Sequence, residues 1–159
     1  MQRNSALLQT IPGIDLQGAA MLLVEIGSDM TRFGSAERLA SWEGMCPGNN
    51  ESAGKRKSGR IRRCNAWVRR LLCEFAQAAA RTRCALKAKF ELLAIRKGHK
   101  KSIVALAHKM LRTIYAMLST GSHYENKTVD YEALSVARNA PRWIKMLHKH
   151  GLIDKPATT

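Results

Sequence analysis

The chain has 159 residues, 45% of them apolar, which excludes wholesale disorder and any need for disulfides or a metal to complete a core. Its 27 Lys and Arg outnumber 12 Asp and Glu, for a formal charge of +15 and a pI near 10.3. Such a chain repels itself unless a polyanion relieves the charge, so composition points to nucleic acid and away from a cationic partner.

In chain order, residues 3–27 predict two short helices around Ile11-Pro12-Gly13-Ile14, because Pro cannot continue a helix and Gly permits a tight turn. Leu16, Ala19, Ala20, Leu23 and Val24 recur at helical spacing, and Gly27 suits the C-terminal cap. Ser35 is an N-cap for a short helix through Leu39 and Trp42. Residues 44–64 carry four glycines, Pro47, Asn49 and Asn50 without a period, and predict a long loop or loops. Asn65 caps a helix to about residue 82 whose apolar stripe is Val68, Leu71, Leu72, Phe75 and Ala79. A further helix covers 86–97, with Leu86, Phe90, Leu93 and Ala94 inward. After Gly98, residues 102–120 give the cleanest amphipathic pattern, ending at Gly121. A last helix covers 131–149, kinked or restarted at Pro141, and 151–159 is a frayed tail. The predicted class is all-α: a helix-hairpin-helix-like N-terminal unit, then a small helical bundle with a long basic Gly-rich loop. The expected division is 1–125 and a C-terminal extension, 126–159.

Cys46, Cys64, Cys73 and Cys84 form no C-x-x-C pair and have no histidine at zinc-finger spacing, so no metal site and no cofactor are expected in this chain. Cys73 and Cys84 read as small core side chains. Free cysteines and the lack of an apolar N-terminal segment predict the reducing cytoplasm, and no stretch is long enough to span a membrane. Trp42, Trp67 and Trp143 are assigned to packing.

Two constellations suit phosphate. In the first, the turn Pro12-Gly13 exposes backbone N–H groups at a helix start, where the dipole favours an anion, although Asp15 opposes it. The alternative is an ordinary helix–helix turn. In the second, residues 53–70 hold eight basic side chains (Lys55, Arg56, Lys57, Arg60, Arg62, Arg63, Arg69 and Arg70) and no acid. Gly54 and Gly59 let the backbone approach a phosphate, and the guanidinium forks bind one bidentately. A solvated basic loop is the competing interpretation. Ser52 and Ser58 are the hydroxyls of this loop, and a serine beside arginines could attack a phosphodiester. Lys87, Lys89, Arg96, Lys97, His99, Lys100, Lys101, His108, Lys109 and Arg112 make a further basic surface, for phosphate contact or solvation.

These pieces in this order resemble the C-terminal domain of the RNA-guided serine transposases of IS-one-ten-type bacterial insertion sequences. The resemblance runs from Leu8-Gln9-Thr10-Ile11-Pro12-Gly13-Ile14 through Phe33-Gly34-Ser35-Ala36-Glu37-Arg38-Leu39-Ala40 and Gly44-Met45-Cys46-Pro47. It continues over Ser52-Ala53-Gly54-Lys55, Gly59-Arg60-Ile61, Asn65 and Arg69 to the helix containing Ala105 to Leu118, roughly residues 7–125. It implies that Ser52 is the nucleophile that links covalently to a DNA phosphate. It also implies a RuvC-like half bearing the divalent metal, DNA and a structured guide RNA as partners, and a homo-oligomer or a RuvC-like partner domain. The implied location is bacterial and nucleoid-associated, with no membrane. Ala53 stands where the family has a second glycine, Cys64 where a glycine precedes the capping asparagine, and Asp15 where the hairpin has a later glycine. The RuvC-like half has no counterpart here, so this chain is not expected to assemble the composite metal site alone. The alternative is a non-catalytic basic RNA- or DNA-binding module. A basic helical protein on anionic lipid is a third reading, disfavoured by the Gly-broken loop.

Overall fold

The computed structural model describes residues 2–45, 50–52, 55–58, 65–126 and 131–153, the segments 50–52 and 55–58 as backbone. The chain divides into two units, Met1–Thr128 and Val129–Thr159. The first contains α1 (Gln2–Leu8), α2 (Leu16–Ile26), a 3-10 turn (Met30–Arg32), α3 (Ala36–Trp42), β1 (Asn50–Ser52), β2 (Lys55–Ser58), α4 (Ala66–Arg81), α5 (Ala85–Lys97) and α6 (His99–Thr120). The second contains α7 (Tyr131–Lys149). The fold is helical, as the sequence predicts.

The core of the first unit is organised around α6, which packs against α1, α3, α4, α5 and the 3-10 turn. Its Leu106, Met110, Leu111 and Ile114 are fully buried, with Leu8, Ile11, Leu22, Ile26, Leu39, Val68 and Leu72 around them. Each buried Leu or Ile contributes about 1.5–3 kcal/mol relative to exposure. Capping follows the sequence closely. Ser35 Oγ accepts from Arg38 N at 3.2 Å, and Asn65 Oδ1 accepts from Trp67 N and Val68 N at 3.1 and 3.4 Å. The Asn65 amide also donates to Glu25 Oε2 at 2.9 Å, tying the start of α4 to α2.

Four expectations are corrected. Residues 44–64 are not an unbroken loop: β1 and β2 pair antiparallel, with an irregularity between Asn50 and Glu51. Ladder pairing takes up backbone polar groups irrespective of hydrophobic alternation, and these strands have none to detect. Helix α6 starts at His99, not 102, because Gly98, at φ +74°, ends α5 and begins α6 in one residue. Helix α7 is continuous through Pro141. In α5 only Leu86 is buried, while Phe90, Leu93 and Ala94 are half-buried.

Helix α3 closes with Gly44 at φ +62° and Met45 N donating back to Ala40 O at 2.9 Å. That reversal tucks Met45 and Glu43 inward. Glu43 is fully buried, and neither carboxylate oxygen has a hydrogen-bond partner among the described residues. Burial, then the negative Glu25 nearby, pushes its pKa up from 4.5 to about 7.

Candidate nucleic-acid interface

The expected basic segment lies between two well-anchored points, the end of α3 and the capped start of α4. Between them, Ser52 ends β1 and is in register with Lys55, the first residue of β2, with only Ala53-Gly54 separating them in sequence. Glu51 is in register with Arg56, and Lys57 lies next along β2. Gly54, Gly59, Arg60, Arg62 and Arg63 lie outside the described residues, as do Cys46 and Cys64. The structure therefore brings Ser52, Lys55, Arg56 and Lys57 into one hairpin.

Arg69 and Arg70 sit in the first two turns of α4. Arg70 Nε donates to Glu74 Oε1 at 3.0 Å in an exposed i,i+4 pair. Such a pair is weak, so a phosphate could displace the carboxylate at little cost. Arg69 is half-buried and lies close enough to Cys73 to oppose the rise that burial imposes on that thiol. Cys73 and Cys84 are half-buried against the core.

Pro12 and Gly13 form a separate feature. Ile14 N donates to Ile11 O at 3.2 Å across the turn, with Gly13 at φ +92°. A Cβ on Gly13 would stand 2.6 Å from both Phe75 O and Ala79 N of α4. The glycine is thus needed for close approach to α4. At the start of α2, Asp15 Oδ1 accepts from Gly18 N at 2.8 Å, so the chain's own carboxylate fills the position where a phosphate would sit. The turn touches α4 between Phe75 and Ala79, about 9–15 Å along the helix from Arg69 at 1.5 Å per residue.

None of the three tryptophans assigned to packing lies in the core. Trp42 and Trp67 are 54% and 50% exposed, and Trp143 is 47% exposed. Trp42 packs on Phe33 with ring centroids 5.5 Å apart. Trp67 lines a shallow cleft of about 230 Å³ with Met21, Arg70, Leu71 and Glu74.

The second basic surface, on α5 and α6, is partly neutralised. Arg112 Nη2 donates to Glu37 Oε1 at 2.8 Å, and Lys87 lies 3.9 Å from Glu91. His99 stands edge-on to Phe90 at 5.3 Å. Burial, then Lys109, lowers the pKa of Lys89; burial, then Arg112, lowers that of His108. Both shifts record chiefly the loss of water around the charged form, with a neighbouring cation adding to it. Among the described residues no three His, Cys, Asp or Glu side chains gather as metal ligands. No helix among them is long and apolar enough to cross a membrane.

Residues 5–91 match the family described as Transposase IS116/IS110/IS902. The chain is 31% identical over 130 residues, 79% of its length, to the insertion element IS900 uncharacterized 42 kDa protein of Mycobacterium paratuberculosis. It is 31% identical over 126 residues, 77% of its length, to the insertion element IS110 uncharacterized 43.6 kDa protein of Streptomyces coelicolor. It spans only about a third of these relatives, 32% and 31% of their respective lengths. With a match that runs from α1 into α5 and takes in the basic hairpin and all of α4, the chain belongs to the IS116/IS110/IS902 family of transposases.

Proposed function

We propose that this chain is the DNA-gripping part of a transposase, acting in DNA transposition and recombination, with Ser52 as nucleophile toward a DNA phosphodiester. The observation that carries the reading is the family match, which spans Ser52 and the whole basic run from Lys55 to Arg70. In this reading Lys55, Arg56, Lys57, Arg60, Arg62 and Arg63 hold phosphates, with Gly54 and Gly59 allowing close backbone approach. Arg69 and Arg70 extend the grip along α4. Pro12 and Gly13, whose turn packs on α4, would supply a second contact to the nucleic-acid backbone.

Ser52 Oγ forms a bond to phosphorus as one P–O ester bond breaks, and the departing deoxyribose oxygen takes up a proton. One ester replaces another, so no external energy source is required. The neighbouring cations stabilise charge that builds on the non-bridging oxygens. A metal-bearing RuvC-like partner domain, a structured guide RNA and a homo-oligomer complete the proposal, since the chain spans only part of its relatives.

Ser52→Ala is expected to abolish any covalent protein–DNA adduct formed when the RuvC-like half is supplied in trans, while duplex binding is unchanged. A denaturing gel that still shows the adduct removes Ser52 from the mechanism. Affinity for duplex DNA should fall about a thousand-fold between roughly 50 and 200 mM salt if about six phosphates are neutralised. A flat salt slope would remove the hairpin as a phosphate grip. The same titration with a structured RNA establishes which polyanion this surface prefers.

A further inference from the structure

Trp67 stands apart from the other two tryptophans by its neighbours. It lies in the first turn of α4, just after the Asn65 cap, where the acid-free basic run of residues 53–70 enters the helix. Its ring is 50% exposed and, unlike that of Trp42 on Phe33, packs on no other ring among the described residues. With Met21, Arg70, Leu71 and Glu74 it lines the cleft of about 230 Å³ between α2 and α4. Met21 and the buried Leu71 make the rest of the wall apolar. The rim is polar. Arg70 Nε donates to Glu74 Oε1 at 3.0 Å, both side chains being exposed. Glu74 Oε2 and the terminal N–H groups of Arg70 have no hydrogen-bond partner among the described residues.

We propose that this cleft receives an unpaired guanine of single-stranded DNA, stacked on Trp67, with its Watson–Crick edge on Glu74. The inference rests on the DNA-gripping reading and adds to it a base that is read. An exposed indole offers a flat apolar face on which a base stacks, while cations beside it hold the flanking phosphates. Arg69 and the hairpin supply those cations. The carboxylate selects among the bases. It only accepts hydrogen bonds, and its two oxygens match two donors side by side. Guanine alone carries adjacent donors, N1–H and the 2-amino group, on its Watson–Crick edge. Cytosine and adenine place an acceptor beside their amino group, and thymine flanks its one N–H with two carbonyls. Each would set an acceptor against the carboxylate. Guanine O6 then falls toward Arg70, whose five N–H groups suffice for Glu74, the base and a phosphate. The base has to be unpaired, because in a duplex its edge is taken by cytosine and its faces by neighbouring bases. An apolar side chain of a partner protein would fit the same volume, but the formal charge of +15 selects a polyanion, and DNA is the polyanion on which a transposase acts.

The test is fluorescence anisotropy of the full chain with a labelled oligothymidylate of about twelve nucleotides, with and without one central guanine. The guanine oligomer is expected to bind about ten-fold more tightly. Hypoxanthine in its place, which lacks the 2-amino group, should lose most of that gain with no change to the protein. Trp67→Ala should weaken binding of the guanine oligomer about ten-fold, with Trp67→Phe in between. Glu74→Gln should abolish the preference for guanine over thymine. Circular dichroism checks that each variant keeps its helices. A wild type without the guanine preference would overturn the proposal. So would a preference that survives Glu74→Gln, or one that is stronger for guanine in oligouridylate than in oligothymidylate. Duplex DNA separates this inference from the reading beneath it. Steeply salt-dependent duplex binding without a guanine preference removes the base site and leaves the DNA grip, whereas failure to bind either duplex or single strand removes both.

Discussion

Gly13→Ala is expected to destabilise the first unit by about 3–4 kcal/mol. Two costs add. An L-residue held at φ +92° is strained by about 1–3 kcal/mol, and forcing a methyl into a tight contact costs about 1–3 kcal/mol more. The contact is unforgiving because the new Cβ would meet backbone, Phe75 O and Ala79 N at 2.6 Å, and α4 cannot retreat without unpacking Leu72 and Phe75. The measurement is thermal unfolding of Gly13→Ala beside Gly27→Ala. Gly27 has φ +75° and nothing within 4 Å of an added Cβ, so it reports the backbone cost alone. A midpoint temperature lower by on the order of 10 °C is expected for Gly13→Ala, with a clearly smaller drop for Gly27→Ala. Equal losses would mean that the turn does not press on α4.

The second large effect concerns pH. A carboxyl at 4.5 in the unfolded chain and about 7 in the folded one binds its proton more tightly when folded. The stability it lends is therefore complete below pH 4.5 and is lost as pH rises toward 7. The linkage amounts to about 3 kcal/mol, from roughly 1.4 kcal/mol per pH unit. The chain should accordingly be more stable at acid pH than above neutrality. Glu43→Gln, which cannot ionise, should flatten that dependence. Glu43→Met, which removes the unpartnered buried oxygens, should raise stability above neutrality by a few kcal/mol. His108 opposes the trend, because its lowered pKa disfavours the folded state at low pH. The comparison with Glu43→Gln isolates the carboxyl. If Glu43→Gln keeps the full pH dependence, the carboxyl is hydrated and not buried.

Much of the fold was legible because its punctuation is local. Ser35, Asn65, Gly27 and Gly121 end or begin helices by chemistry within a few residues, and the sequence displays it. The stripe Val68 to Ala79 and the α6 pattern are equally local, and both are buried. What escaped was set by tertiary structure. The hairpin at 50–58 has no apolar alternation, only backbone pairing. Helix α5 has its first N–H satisfied by Asn126 Oδ1 at 2.9 Å, from 41 residues away, a cap no local rule could find. The burial of Glu43 depends on how the Gly44 reversal folds the chain back. In the interface, the basic run is a matter of composition and was plain. That the Pro12-Gly13 turn presses on α4 required knowing how the two lie against each other. The exposure of Trp67 was hidden for the same reason: packing partners are not written beside the residue they cover.

Helix α6 touches nearly every other helix of the first unit, yet it is the last of them to be made. During synthesis, α1 to α5 leave the ribosome with their apolar faces prepared and no central surface to close upon. Leu8, Leu39 and Leu72 wait for Leu106, Met110 and Ile114. The first unit must therefore condense late and together, not element by element. A nascent chain stopped before residue 99 would display sticky helices, a state in which a strongly positive charge keeps sibling chains apart.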